Sequence, residues 1–326
     1  MIKPRLLATR PLFPEAREVL DAHFDAEYWT APERIPRAEF LKRAADKDAL
    51  ICLLTEKVDE ELLAAAPKLR IAATVSVGFD NIDVAACTRR VVVATNTPGV
   101  LDDSTADFAW TLMLAVARRL VEGDAWIRSG EWPGWDLGQH LGGDVWGKAL
   151  GILGFGRIGQ EVARRAQGFR MRILYNNRNR VSQAIERELK AEFVDRETLL
   201  RTSDFLSVHV PLNSETRHLI SRENLQKMKR TAYLINTSRG PVVDEAALAE
   251  ALRTGIIAGA ALDVFEHEPQ VCPALLPLKN VILAPHIGSA TIDTRTRMAM
   301  IAAKNAVALF EGQRPPNALN GDALGL

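Results

Sequence analysis

The stretch ALGILGFGRIGQ, residues 149–160, constrains the fold of this chain most, because it combines an apolar strand, a glycine-rich turn and the start of a helix. In such a turn the first glycine permits a sharp bend, the second lets the backbone approach a pyrophosphate, and the third lets the helix pack closely on the strand. The N–H groups at the helix N-terminus then favour phosphate. The sequence therefore predicts a dinucleotide-binding unit, with phosphate contacts from Gly154, Gly156, Arg157, Ile158 and Gly159.

Short apolar runs alternate with helical patterns along almost the whole chain, which indicates parallel α/β architecture. A first series of predicted strands consists of RLLAT (5–9), ALICLL (49–54), RIAATV (70–75) and VVVAT (91–95). A second series consists of ALGILGFG (149–156), MRILY (171–175), FLSVHV (205–210), AYLINT (232–237), IAGAALDV (257–264) and VILAP (281–285). The two series predict two consecutive α/β units.

The stretch 102–130 separates the two series and has helical apolar spacing over a length that could bridge two domains. Ser104 is the predicted N-cap of this helix, with Asp107 three residues later. A last helical stretch, 292–312, follows the second series and is expected to pack back on the first.

These patterns predict a discontinuous substrate-binding domain at 1–102 and 292–326, and a dinucleotide-binding domain at 103–291. A ligand is then expected to bind in a cleft between the two domains.

Composition excludes several classes of function. The 326 residues exceed a single small core, and 47% hydrophobic with 25% charged residues is typical of a globular protein. A formal net charge of zero gives no long-range field towards nucleic acid or an anionic membrane. No apolar run approaches the ~18 residues of a membrane span, no signal peptide is evident, and the three cysteines suggest no disulfide framework. We therefore expect a cytoplasmic protein without nucleic-acid or membrane partners.

The loop after the second strand of the dinucleotide-binding unit lacks the usual acidic residue. A carboxylate that binds the adenosine ribose is expected about 20 residues after the glycine turn, but the chain has Asn176, Asn177, Arg178 and Arg180 in this loop. A carboxylate would repel a ribose 2′-phosphate, whereas guanidiniums pair with one. The loop predicts a preference for NADPH; the alternative is a solvated basic loop on an enzyme that uses NADH.

Polar side chains follow three apolar strands of the second series. Arg239 follows the strand at 233–237, Asp263 and Glu268 follow GAAL, and His286 follows VILAP. Open parallel sheets build their sites at the carboxyl ends of strands. These side chains are therefore candidate site residues.

At these residues the chain resembles the D-isomer-specific 2-hydroxyacid dehydrogenase family. The matching segments appear in the family's order and cover essentially the whole chain: GFGRIG, SDFLSVHVPL, INTSRGPVVDEAAL, LDVFEHEP and APHIGSAT. The segments ILYNNRNR and HIGSAT are most similar to the glyoxylate/hydroxypyruvate reductase branch, which also includes 2-ketogluconate reductases. The resemblance implies two Rossmann-like domains, an NAD(P) cofactor and a small 2-oxo acid substrate.

The resemblance also implies catalytic roles that the chemistry of the residues supports. Arg239 would hold the substrate and polarise its carbonyl with a planar guanidinium. His286 would donate a proton as general acid, and Glu268 would favour the imidazolium and orient its ring. Asp263 would contact the nicotinamide carboxamide. His267, which precedes Glu268, is the alternative general acid.

Further residues are assigned only through the resemblance. The loop with Ser76, Val77 and Gly78 would hold the substrate carboxylate; an ordinary turn is the alternative. No metal site is expected. The remaining implied cofactor contacts are Thr105, Val210, Pro211, Thr216, Thr237, Ser238 and Gly288.

Four of the six tryptophans fall between positions 126 and 146. Such aromatic density is typical of an interface, and the resemblance implies a homodimer formed through this region. Trp135 is the candidate for reaching the partner's substrate site, with packing inside its own chain as the alternative.

The sequence thus predicts an enzyme that reduces glyoxylate or hydroxypyruvate to the D-2-hydroxy acid with NADPH. A reductase for a larger sugar acid such as 2-ketogluconate is the alternative within the family. A nucleotide-sensing corepressor is the alternative from another class, because one branch of the family has that role.

Overall fold

The computed structural model of the chain describes residues 2–326. Its strands are β1 (Arg5–Ala8), β2 (Asp25–Tyr28), β3 (Ala49–Cys52), β4 (Ile71–Thr74), β5 (Val93–Thr95), β6 (Ala149–Leu153), β7 (Arg172–Asn176), β8 (Ala191–Phe193), β9 (Phe205–Val208), β10 (Tyr233–Asn236), β11 (Gly259–Leu262) and β12 (Val281–Leu283). Its helices are α1 (Pro14–His23), α2 (Arg37–Ala44), α3 (Glu60–Ala65), α4 (Val84–Arg89), α5 (Asp102–Ala117), α6 (Leu120–Ser129), α7 (Arg157–Ala166), α8 (Gln183–Leu189), α9 (Arg196–Thr202), α10 (Arg222–Lys227), α11 (Glu245–Arg253) and α12 (Ile292–Phe310).

The chain divides into two compact units. Unit 1 comprises 2–101 and Ala290–Leu326, and unit 2 comprises Asp102–Ser289. Unit 1 is built on a five-stranded sheet of order β2-β1-β3-β4-β5 whose strand pairs are all parallel. Helix α12 packs through a row of alanines that includes Ala299, Ala302 and Ala306 against the same core as α1 and β4.

Unit 2 is built on a seven-stranded sheet of order β12-β11-β10-β9-β6-β7-β8, again with every strand pair parallel. The strand order reverses between β6 and β9. Open α/β sheets bind ligands outside the carboxyl ends of their strands at such a reversal. The two parallel sheets confirm the predicted α/β fold class.

Both faces of the seven-stranded sheet are covered, which explains why its strands are apolar runs rather than alternating patterns. Leu150 and Ile152 of β6 enter a core with α5 and α7, while Leu153 enters the opposite core with α9, α10 and α11. In β7, Ile173 faces the first core and Leu174 the second. Successive side chains of a strand point to opposite faces, so each strand contributes to both cores.

The predicted single helix over 102–130 is wrong in two respects. It begins at Asp102, so Ser104 lies in its first turn and is not the N-cap. It also breaks after Ala117, because Arg119 adopts a left-handed conformation (φ 52°) before α6 begins at Leu120. Helix α6 has no buried residue.

Within 2–326, none of the helices has the length and apolar character that crossing a bilayer requires.

Candidate active site

The three predicted catalytic segments follow neighbouring strands of unit 2. Arg239 comes after β10, Glu268 after β11 and His286 after β12, and these strands are adjacent in the sheet. Because the strands are parallel, their carboxyl ends lie on one edge. The sheet thus brings segments that are up to 47 residues apart in sequence to the same place.

His286 and Glu268 form a direct pair. The His286 Nδ1 atom lies 2.9 Å from Glu268 Oε2 and 3.2 Å from Oε1, and both side chains are about a quarter exposed. Glu268 Oε1 also accepts a hydrogen bond from the Phe265 N–H at 3.1 Å. Burial alone would raise the pKa of Glu268, but its bonds to His286 and Phe265 and the nearby charge of Arg239 bring that pKa below its usual value.

This pairing uses only one nitrogen of the His286 ring, so Nε2 is left for a proton transfer. His267, the alternative general acid, is exposed, and Glu268 does not pair with it in residues 2–326. The geometry therefore favours His286 over His267.

The backbone of His286 is held in an unusual conformation by Asp263. His286 has a φ of 55°, in the left-handed region that is uncommon outside glycine. The buried Asp263 carboxylate accepts hydrogen bonds from the N–H groups of Ile287 and Gly288, both at 2.7 Å, and the His286 N–H donates to the Asp263 carbonyl at 2.9 Å. Burial raises the pKa of Asp263, whereas these two N–H groups oppose that change. Asp263 thus fixes the turn that presents the imidazole.

Arg239 lies in an extended segment whose conformation is set by Asn236. The Asn236 side chain donates to the Arg239 carbonyl at 3.0 Å and accepts from both the N–H and the hydroxyl of Ser238. The Arg239 Nη1 atom donates to the Ser238 carbonyl at 2.9 Å.

Gly240 couples the Arg239 segment to the loop that carries Glu268. A Cβ at Gly240 would lie 1.9 Å from the carbonyl carbon of Phe265 and 2.4 Å from the N atom of Glu266. Only glycine allows these two backbones to pack in direct contact. The positions of Arg239 and Glu268 are therefore fixed relative to each other through backbone packing.

The glycine turn has the geometry expected of a phosphate-binding cradle. Gly154 has a φ of 94°, and a Cβ there would lie 2.6 Å from the backbone of His209. A Cβ at Gly159 would lie 2.3 Å from the Gly154 carbonyl oxygen. A Cβ at Gly156 would meet nothing within 4 Å, so packing among the described residues does not require glycine at that position, whereas close approach by a ligand would.

The residues around this turn fit a dinucleotide cofactor. Helix α7 begins at Arg157 directly after the turn, with Ile158 in its first turn, and a helix N-terminus favours phosphate. The buried Thr237 hydroxyl, just beyond β10, has no hydrogen-bond partner among residues 2–326. A buried hydroxyl without a partner is costly, and a bound ligand would supply one.

Other predicted cofactor residues lie at the same edge of unit 2, and several have protein partners. The Thr216 hydroxyl donates to the Pro211 carbonyl at 2.6 Å. Pro211 follows Val210 in the segment after β9. Gly288 is packed near Thr105, since a Cβ at Gly288 would lie 3.5 Å from Thr105 Cγ2.

The basic loop after β7 does not offer all four of its predicted side chains equally. Asn176 donates its side-chain N–H to the Val194 carbonyl at 2.8 Å. Asn177 Oδ1 accepts from the Phe155 N–H at 3.4 Å, which links the loop to the glycine turn.

The two arginines of this loop differ sharply. Arg180 donates through Nε and Nη2 to the two carboxylate oxygens of Glu186, both at 2.8 Å. Arg178 is exposed and forms no ion pair or hydrogen bond in the described part of the chain. Sequence reasoning missed Glu186, because nothing in the sequence of α8 indicates that one of its two acids, Glu186 or Glu188, reaches back to the loop.

The predicted substrate loop belongs to unit 1 and follows β4. The carbonyls of Ser76, Val77 and Gly78 accept hydrogen bonds from the Thr97 N–H, the Asn96 side chain and the Ser76 hydroxyl, respectively. The N–H groups of Val77 and Gly78 donate to no residue within 2–326. Two free N–H groups on an ordered loop can bind a carboxylate.

Trp135 lies on the surface of unit 2 with 80% of its side chain exposed. A groove of about 350 Å³ beside it is lined by Gly123, Trp126, Ile127, Trp132, Trp135, Asp136, Gln139 and His140. In residues 2–326, no group of three His, Cys, Asp or Glu side chains is arranged to hold a metal ion.

Comparison with known proteins agrees with this geometry. The family profile described as D-isomer specific 2-hydroxyacid dehydrogenase, NAD binding domain, matches residues 110–288. A glyoxylate reductase from Thermococcus litoralis is 52% identical over 99% of this chain and 98% of its own length.

Solved structures give the same result. A protein from Thermus thermophilus superimposes with a TM-score of 0.91 and 42% identity, covering 97% of this chain and 99% of the other. An NADPH-dependent glyoxylate/hydroxypyruvate reductase from Sinorhizobium meliloti, in complex with NADP and malonate, gives a TM-score of 0.87 and 33% identity over 97% of each chain. The chain belongs to the D-isomer-specific 2-hydroxyacid dehydrogenase family of oxidoreductases.

Proposed function

We propose that this protein reduces a small 2-oxo acid, glyoxylate or hydroxypyruvate, to the corresponding 2-hydroxy acid of D configuration where a stereocentre forms. The observation that carries the proposal is the His286–Glu268 pair on the same sheet edge as Arg239. The relatives named above as glyoxylate reductases support the choice of substrate.

Three side chains and two backbone N–H groups share the proposed binding and proton transfer. Arg239 binds the carboxylate and keto oxygen of the substrate with its planar guanidinium and polarises the carbonyl. His286 donates the Nε2 proton to the oxygen as charge develops there. Glu268 stabilises the protonated ring and holds its orientation through Nδ1. The N–H groups of Val77 and Gly78 are proposed to bind the substrate carboxylate.

When bound, a reduced nicotinamide dinucleotide supplies the hydride for this reaction. Its pyrophosphate would be held by Gly154, Gly156 and the N-terminus of α7. Asp263 would keep the turn at His286–Gly288 in place beside the nicotinamide.

We propose NADPH as the preferred cofactor. No carboxylate occurs at 176–180, from the last residue of β7 into the following loop, and Arg178 is exposed without an ion-pair partner in the described chain. A guanidinium in this position favours a ribose 2′-phosphate. The Sinorhizobium meliloti relative described as NADPH-dependent supports this choice.

Steady-state assays with the purified protein test both parts of the proposal. Loss of the absorbance of NADPH, and separately of NADH, is followed with glyoxylate, hydroxypyruvate, pyruvate and 2-ketogluconate. We expect the highest kcat/KM for glyoxylate or hydroxypyruvate with NADPH. A higher value for 2-ketogluconate would assign the larger substrate, a higher value with NADH would reject the cofactor preference, and no turnover with any 2-oxo acid would reject the function.

We also propose that the protein forms a homodimer through the surface of α6 and the loop that follows it. This part of the chain exposes several large apolar side chains, and exposed apolar side chains that cluster mark protein interaction sites. They are Leu120, Val121, Ile127, Trp132, Trp135, Leu137, Leu141 and Trp146.

The molecular mass of the protein, measured by light scattering after size-exclusion chromatography, tests the proposed dimer. The wild type is expected to have twice the mass of the chain, and Leu137→Glu, which places a charge on a side chain that is 81% exposed, is expected to shift it towards the monomer. A monomeric wild type would contradict the proposal.

A further inference from the structure

The loop that carries Glu268 is gripped by a buried carboxylate outside the catalytic residues. Glu245, the first residue of α11, is 5% exposed. Its Oε1 atom accepts from the Glu266 N–H at 2.6 Å, and its Oε2 atom accepts from the Cys272 N–H at 3.3 Å. One side chain thus binds the backbone on both sides of Glu268.

The grip is reciprocal. Glu266 Oε1 accepts from the Glu245 N–H at 2.9 Å, so the loop satisfies an N–H group at the helix N-terminus that would otherwise lack a partner. Glu266 Oε2 lies 2.8 Å from His218 Nε2, which fixes the Glu266 side chain from its other side. Burial raises the pKa of Glu245, and its two backbone bonds oppose that change.

We propose that Glu245 is a positioning residue for the reaction: by fixing the loop on both sides of Glu268 it holds the Glu268 carboxylate against His286. This inference rests on the proposed roles of Glu268 and His286. The path from Glu245 to the imidazole is short, since Glu266 lies two residues before Glu268.

Other titratable groups near Glu245 and near the His286–Glu268 pair could also affect the pH profile. Among the described residues, the titratable groups next to Glu245 are Glu266, His267 and Cys272, and His218 pairs with Glu266. Those near the His286–Glu268 pair are Asp263 and Arg239.

Glu245→Gln is the test, because glutamine keeps the size of the side chain but has a single oxygen acceptor. One of the two N–H groups then faces an NH₂ donor and the loop loosens. We expect kcat to fall about 10-fold to 100-fold, as for a small displacement of a catalytic group, with KM for NADPH unchanged. We also expect the alkaline limit of reduction to move to lower pH, in the same direction as in Glu268→Gln.

The matched control is Glu250→Gln on the same helix, where the carboxylate makes only a surface pair with Arg253. This variant should leave kcat and the pH profile unchanged. If Glu245 acts through Glu268, the double variant Glu245→Gln/Glu268→Gln should be no worse than Glu268→Gln alone.

A purely structural Glu245 would give a lower melting temperature with an unchanged pH profile, or effects that multiply in the double variant, and either result overturns the proposal. Should Glu245→Gln not fold, Glu266→Gln loosens the same grip from the loop side and is measured instead.

The proposal and the proposed function can fail separately. If Glu268→Gln shifts the pH profile and the Glu245→Gln variant does not, only the role of Glu245 is rejected. If no 2-oxo acid is turned over, the proposed function is rejected. In that case an NMR titration of the His286 ring against pH still tests the role of Glu245. If the titration is the same in Glu245→Gln and in the wild type, the proposed role of Glu245 is rejected.

Discussion

Two carboxylates in unit 2 each hold a nitrogen-bearing side chain, and they do so with different consequences. Glu268 contacts only the Nδ1 atom of His286, whereas Glu186 contacts both the Nε and Nη2 atoms of Arg180. Bonds to Arg180 and to the Tyr175 hydroxyl lower the pKa of Glu186 to about 2. The His286–Glu268 pair leaves the Nε2 atom of His286 for the proposed proton transfer. The Arg180–Glu186 pair uses one edge of the guanidinium to hold a loop.

The surroundings of the Arg180–Glu186 pair explain this difference. Glu186 also accepts from the hydroxyl of Tyr175 at 2.6 Å, and the buried Tyr175 ring stacks on Phe155 with 4.1 Å between ring centroids. Phe155 lies inside the glycine turn. We infer that Arg180 and Glu186 act as a latch that ties the loop after β7 to the glycine turn.

The largest expected effect comes from removing the imidazole of the proposed catalytic pair, His286 and Glu268. His286→Ala removes the proposed proton donor, so kcat for glyoxylate reduction should fall about 10²-fold to 10⁴-fold. His267→Ala, in the exposed neighbour of Glu268, is the control and should stay close to wild type. A nearly inactive His267→Ala with a working His286→Ala would reverse the assignment.

The next effect tests the carboxylate of the same pair through pH. Burial raises the pKa of Glu268, but the bonds to His286 and Phe265 and the nearby charge of Arg239 hold that pKa below its usual value. The carboxylate is therefore charged at neutral pH and favours the protonated His286 ring. In Glu268→Gln this support is lost and the ring gives up its proton more readily. The alkaline limit of reduction should therefore move down by about one pH unit. An unshifted profile of kcat/KM against pH would count against the pair.

The comparison of these two pairs also shows what the sequence could predict. The sequence predicted the glycine turn, Arg239, Glu268 and His286 as site residues because each follows an apolar strand within a few residues, and parallel strands place their carboxyl ends on one edge. The Arg180–Glu186 latch and the reciprocal bonds of Glu245 were missed. They depend on side-chain directions across segments 6 and 21 residues apart, which no local pattern reports.

Three features of the fold, two strands and one helix break, escaped prediction for a related reason. The edge strand β2 (Asp25–Tyr28) is partly exposed and lacks an apolar run, and β8 (Ala191–Phe193) has only three residues. The break between α5 and α6 occurs at Arg119 without glycine or proline, the usual signals for a helix end. Tertiary contacts, rather than local preference, decide such positions.

The smallest expected effect distinguishes the roles of Arg178 and Arg180 in the loop after β7. Arg178→Ala removes a guanidinium with no ion pair or hydrogen bond in the described residues, so kcat/KM with NADPH should fall about 10-fold while that with NADH stays constant. Arg180→Ala instead opens the latch, which serves both cofactors, and should lower both kcat/KM values by a similar factor. Arg187→Ala, on the exposed surface of α8, is the matched loss of charge and should change neither value. If Arg180→Ala alone changed the NADPH to NADH ratio, Arg180 rather than Arg178 would be the residue that binds the 2′-phosphate, and the latch would have to open when the cofactor binds.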